Sequence, residues 1–195
     1  MVTPTKTEID KKRKDYEKNL KKIDDTGKLS EKWAISSLRS AIRKEWMKNP
    51  VKLAVLYEAM VPDMNPDTRT KWLYKCAICG GMFKASEVEV DHCIGEHSFT
   101  SIDDFKNYWD NILMVPKSGL QVLCIEDHET KTYSERYNVP WDEAILKKTI
   151  IKKMNQPAKK QIEELLSYGY TKKDLTNSDK REIIYRILVD EGRLN

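Results

Sequence analysis

The chain lacks any apolar run near the roughly 20 residues that span a bilayer. Its first residues, Met1-Val2-Thr3-Pro4-Thr5-Lys6, form no apolar h-region. Neither membrane insertion nor secretion is therefore expected, and a cytoplasmic location is the reading. There is no internal repeat, no low-complexity tract beyond a Lys-rich start and no coiled-coil signal, so a monomer or weak dimer is expected. Cysteine and histidine are scarce, with four and three among 195 residues. With no export signal, the cysteines are expected to stay reduced. A Cys-x-x-Cys pair in a reducing compartment holds metal or does redox work more often than it forms a structural disulfide.

Those scarce residues are concentrated. Cys76, Cys79, Cys93 and Cys124, with His92, His97 and His128, all fall between positions 76 and 128. Charge is also divided. Residues 1–50 carry 14 basic against 8 acidic side chains, and residues 141–195 carry 12 against 9. Residues 76–140 carry 5 against 11. The acidic stretch is the one with the metal-competent residues, and its flanks are basic. Carboxylates hold cations and basic surfaces hold phosphate, so the division suits a protein that does both.

With 39% hydrophobic and 34% charged residues, the length suits one buried domain with extensions, or two small ones. The pattern reads as α+β and mostly helical. Residues 7–23 form an exposed charged helix. Ser30 can cap a helix to about Lys48, whose Trp33, Ile35, Leu38, Ile42 and Trp46 give a buried stripe. Arg39, Arg43 and Lys44 lie on its other face. A helix over 51–60 ends at Pro62. Trp72–Cys76 and Gly81–Lys84 flank a knuckle, and Val88–His92 alternates as a strand. Ser101 can cap a helix to about Leu113. Leu120–Leu123 is a short strand, and a helix runs from about Glu126 to Tyr137. Helices follow over 141–154, 158–167 and 178–191, with Ser178 a possible cap. The expected segments are a basic helical 1–70, a core over 71–140 and a helical 141–195.

Cys76 and Cys79 can bite one side of a tetrahedral zinc ion, and Cys124, at a strand-to-helix junction, can staple the hairpin to the helix. Gly80-Gly81 after the pair suits a zinc knuckle better than a thioredoxin-like turn. The order Cys76-x-x-Cys79, then Val90-Asp91-His92, then Leu123-Cys124-x-x-x-His128-x-x-Lys131-Thr132 resembles the HNH family of endonucleases, also called ββα-metal or His-Me finger nucleases. It covers about residues 72–137. A looser similarity to the leader region of phage-encoded HNH endonucleases lies at Ser40–Met47 and Lys71–Cys76.

The resemblance implies a ββα-metal finger with a zinc knuckle. His92 would be the general base that activates water, and Asp91 and His128 would hold a catalytic Mg²⁺ or Mn²⁺. Lys131 would contact phosphate, and Arg39, Arg43 and Lys44 would grip double-stranded DNA. Two positions depart from the family. Asp127 stands where the fourth zinc cysteine is expected, with Cys93 the rival ligand. Ser118-Gly119 stands where the family has an asparagine; Asn111 is nearby in sequence without an assigned place, and His97 has no motif role. Residues 170–184 suggest a small helical DNA-binding unit or, equally, a helical pair packing through Ile183, Ile184, Ile187 and Leu188. The rivals to an endonuclease are a catalytically inactive zinc-stapled DNA-binding or adaptor module, and a helical interaction protein with incidental cysteines.

Overall fold

Thr5 opens the first helix with a reciprocal cap. Its side chain accepts from the Glu8 amide at 3.4 Å, and its own amide donates to Glu8 Oε2 at 2.8 Å. This computed structural model describes residues 3–95 and 98–194. Helix α1 (Lys6–Leu20) buries no residue, as its charged sequence predicts. Helix α2 (Glu31–Trp46) turns Ile35 and Ile42 inward, two helical turns apart. They pack with Phe99 and with Tyr108 of α4 (Phe105–Ile112), whose ring centroid lies 4.8 Å from that of Phe99. Trp33, expected in that buried stripe, is instead exposed. Ser30 sits at the cap position but makes no side-chain cap bond. Ser101 likewise makes no cap bond, and a 3₁₀ turn over Ile102–Asp104 separates it from α4.

Helix α3 (Pro50–Glu58) stops earlier than the sequence suggests. Residues Met60–Pro62 form a strand, β1, that pairs with β2 (Trp72–Lys75) in antiparallel register, Val61 opposite Leu73. Pro62 is tolerated because it closes an edge strand. Strand β2 also pairs with β3 (Met82–Phe83), Tyr74 opposite Phe83. A second, two-stranded sheet joins β4 (Val88–His92) to β5 (Leu120–Cys124). Helix α5 (Ile125–Tyr137) follows β5 directly and packs on β4. Helices α6 (Trp141–Met154), α7 (Ala158–Ser167) and α8 (Ser178–Asp190) complete the chain. The class is α+β and mostly helical, and no helix among the described residues is long and apolar enough to cross a membrane.

The chain divides into two units that do not follow the three consecutive segments expected. One is Met1–Glu58 with His97–Gln121; the other is Ala59–Glu96 with Val122–Asn195. The excursion between β4 and β5 joins α2 through Phe99 and Tyr108, so the expected core over 71–140 is interrupted.

In the second unit Leu165, Leu175, Tyr185, Leu188, Val189 and Leu194 build a core between α6, α7 and α8. Buried Arg181 serves it by donating to Gln161 Oε1 at 2.7 Å and to the Leu175 carbonyl at 3.0 Å. Asn177, not Ser178, caps α8, accepting from the Lys180 amide at 2.9 Å. Of the four residues expected to pack, Ile184 and Leu188 are buried, whereas Ile183 and Ile187 are exposed. The two pairs lie on neighbouring stripes, and only one faces α6 and α7. Leu188→Ala should therefore cost about 2–5 kcal/mol in urea unfolding. Ile187→Ala, on the exposed stripe, should cost less than about 1 kcal/mol.

Candidate metal centre

Lys75 ends β2, and the chain reverses at once. The Cys76 amide donates to the Gly81 carbonyl at 2.9 Å, and the Gly80 amide to the Cys76 carbonyl at 3.1 Å. Gly80 has φ +72°, which glycine adopts without steric cost. A Cβ on Gly81 would lie 2.8 Å from the Phe83 ring. Both glycines thus suit the tight reversal that carries Cys76 and Cys79. The Ala77 amide ties the knuckle to β5 by donating to the Val122 carbonyl at 2.8 Å.

Strand β5 then delivers Cys124 to the cap position of α5, where its sulfur accepts from the Asp127 amide at 3.4 Å. The first turn of α5 places Asp127 beside Cys124. The Cys76 thiol donates to Asp127 Oδ2 at 3.0 Å. The ligand atoms of Cys76, Cys79, Cys124 and Asp127 all lie within 4.8 Å of one another. This group can hold a metal ion, and it agrees with a structural zinc, whose bonds of about 2.0–2.3 Å set donors a little under 4 Å apart. Asp127 is the fourth member. Cys93, the rival, is exposed and lies outside the group.

The protonation of the cluster fits the same conclusion. Burial pushes the Cys124 thiol up to about 12, with the Asp127 carboxylate adding to the rise. Burial also raises Cys79. Burial opposes ionisation of Asp127, but thiols donated by Cys76, Cys79 and Cys124 hold its carboxyl below the usual range. Three thiolates and a carboxylate cannot crowd together without a cation, so a bound metal would displace the thiol protons.

Next to this cluster, β4 presents Asp91 and His92, and α5 presents His128. Asp91 Oδ1 lies 3.5 Å from His128 Nε2, and His128 Nδ1 lies 2.5 Å from Glu89 Oε2. At 3.5 Å the Asp91 and His128 side chains form an ion pair when His128 is protonated. Asp91 Oδ2 is buried and forms no hydrogen bond; the Lys131 ammonium lies 2.9 Å away as an out-of-line ion pair. Lys131 Nζ also meets Glu135 Oε1 at 2.7 Å and donates to the His92 carbonyl at 2.9 Å. Burial works against the charge on Asp91, but His128 and Lys131 outweigh it and hold the carboxyl low. The Asp91 carboxylate in turn raises His128.

Two expected DNA contacts have different surroundings from those anticipated. Lys131 is buried and its ammonium is engaged by Asp91, Glu135 and His92, so it does not project to solvent. Arg39 donates to Ser98 Oγ at 3.1 Å and to the Phe99 carbonyl, with its guanidinium over the Phe99 ring. Arg43 and Lys44 are exposed. Asn111 bonds Asn107 within α4. At Gly119 a Cβ would meet the Val115 side chain at 2.5 Å, which accounts for a glycine where the resembling family has asparagine. His97 lies outside the described residues.

Glu89 and Glu135 were not picked out from the sequence, although the signal was present. Glu89 is two residues before Asp91, hence on the same strand face. Glu135 is four residues past Lys131, hence on the same helix face.

No protein-family model, curated protein or solved structure matches this chain.

Two outcomes follow from this geometry. Elemental analysis should find one zinc per chain, and Cys79→Ser should reduce it and lower the melting temperature, whereas Cys93→Ser should do neither. The second concerns pH. Asp91 is held low, so its contribution to stability is present above about pH 3.9 and is lost as pH falls through the lower folded value. His128 is held high, so its contribution is present below about pH 6.5 and is lost as pH rises through the raised value. In zinc-loaded protein without Mg²⁺ or Mn²⁺, urea midpoints should fall on the alkaline side of this window. His128→Gln should flatten that alkaline limb.

Proposed function

We propose that the chain is a metal-dependent HNH endonuclease that hydrolyses DNA phosphodiester bonds, with β4, β5 and α5 as its ββα-metal finger. The observation that carries this reading is the pairing of Asp91 Oδ1 with His128 Nε2 at 3.5 Å, with His92 adjacent on the strand end. A zinc-competent cluster abuts His128 in sequence through Asp127, which supports the same reading.

In this proposal Asp91 and His128 hold the catalytic Mg²⁺ or Mn²⁺, which when bound stabilises the charge that develops on the leaving oxygen. Glu89 accepts from His128 Nδ1, which leaves Nε2 facing Asp91. His92 takes the proton from the attacking water, a role suited to an imidazole because its ordinary pKa lies near neutrality. The bond broken is then the P–O3′ bond, leaving 5′-phosphate and 3′-hydroxyl ends. Exposed Arg43 and Lys44 offer sequence-tolerant contacts to the DNA backbone.

A second reading is a zinc-stapled nucleic-acid-binding module without catalysis. It is favoured by the Lys131 ammonium beside Asp91, which already balances the charge that a divalent ion would neutralise. Cleavage of supercoiled plasmid separates the two. The endonuclease reading expects Mg²⁺- or Mn²⁺-dependent nicking that EDTA abolishes. His92→Ala should lower it by about 10²–10⁴-fold while DNA retention persists. DNA retention by folded, zinc-loaded protein with no cleavage in either metal would favour the binding module.

A further inference from the structure

Lys131 is the residue whose surroundings are least expected. A lysine placed one turn past His128 on a helix would normally send its ammonium to water. Here the side chain is 11% exposed, and its ammonium meets three acceptors: Asp91 Oδ2 at 2.9 Å, Glu135 Oε1 at 2.7 Å and the His92 carbonyl at 2.9 Å. The ammonium is buried between two carboxylates and a main-chain carbonyl, which leaves little access for a phosphate. Asp91 Oδ2 is closed to solvent and has no hydrogen bond, which leaves Oδ1 as the oxygen that faces His128.

We propose that Lys131 is a positioning residue that reserves one oxygen of Asp91, so that the carboxylate offers a divalent ion Oδ1 alone. This rests on reading Asp91 and His128 as a divalent-cation pair. Lys131 acts from α5 on both members of the strand-end pair, through the Asp91 carboxylate and the His92 main chain. A carboxylate free to offer both oxygens would bind a divalent ion more tightly and occupy a coordination position that substrate needs. A cation beside a metal ligand also weakens metal binding by Coulomb repulsion. Lys131 therefore lowers the affinity for the ion while favouring turnover. A contact to DNA phosphate would lower DNA affinity when removed, and a purely structural role would weaken metal binding and turnover together.

The test uses the full zinc-loaded chain, wild type beside Lys131→Met and Lys131→Gln, with Mn²⁺ binding titrated without DNA. Lys131→Gln keeps a donor for the partly buried carboxylates and serves if the methionine variant does not fold. Both folded variants are expected to bind Mn²⁺ more tightly, by about tenfold on Coulomb grounds. Their kcat for plasmid nicking should fall while KM stays within about twofold. Lys131→Arg should return Mn²⁺ affinity toward wild type. Weaker or unchanged Mn²⁺ binding in the variants overturns the proposal. So does a loss of DNA affinity with a salt dependence shallower by about one charge, which would assign Lys131 to phosphate. A wild type that binds no Mn²⁺ overturns it as well. A wild type that binds Mn²⁺ but never cuts DNA refutes the endonuclease alone, since the Mn²⁺ titrations still decide what Lys131 does.

Discussion

Three thiols and a carboxylate share the space between the knuckle and the first turn of α5, and this crowding ties the knuckle to the β5–α5 junction. The group either keeps its protons or takes a cation in their place. The local apolar core is too small to make the choice indifferent. Cys76, Leu123 and Cys124 are the buried members, with Phe83 packed against them. Burying such side chains contributes about 1.5–3 kcal/mol each. A structural zinc contributes about 10–16 kcal/mol in small modules. On those magnitudes a metal, rather than hydrophobic burial, is what would fix α5 against β2 and β5.

Fixing α5 matters because one face of that helix carries nearly everything of chemical interest. At 100° per residue, Cys124, Asp127, His128, Lys131 and Glu135 fall within about 100° of one another. Cys124 and Asp127 turn toward the knuckle, and His128 and Lys131 meet Asp91 and His92 on β4. The opposite side packs on α6, with Lys148 paired to Glu129 at 2.8 Å. A rotation of α5 that disturbed the cluster would therefore also move His128 away from Asp91.

Much of this was legible in the sequence, because each signal was local. The end of α5 and the starts of α6 and α7 follow from Pro140 and Pro157, which stand at the cap positions of α6 and α7. The cluster follows from Cys-x-x-Cys, two glycines and a cysteine at a strand-to-helix junction. What could not be read was long-range. Strand β1 is three residues long and is defined by its partner β2, not by its own pattern. Trp33 looks like a core residue by spacing, yet the packing of α2 turns on Ile35 and Ile42. The surroundings of Lys131 were hidden because they depend on which side of α5 meets β4, and nothing within α5 alone states that.

The acidity of residues 76–140 takes on a more specific meaning once it is placed. Glu89, Asp91 and Glu135 converge on His128 and Lys131, so three carboxylates face two basic side chains. The set is anionic by one charge when His128 is protonated and by two when it is neutral. A surplus of that size, partly buried, attracts a cation without demanding one, since Lys131 already occupies one side of Asp91. The zinc-competent cluster is different, because its donors have no basic side chain among them and must keep protons or bind metal. The two groups are adjacent in sequence through Asp127 and His128, yet only around Asp91 does a basic side chain already share the negative charge.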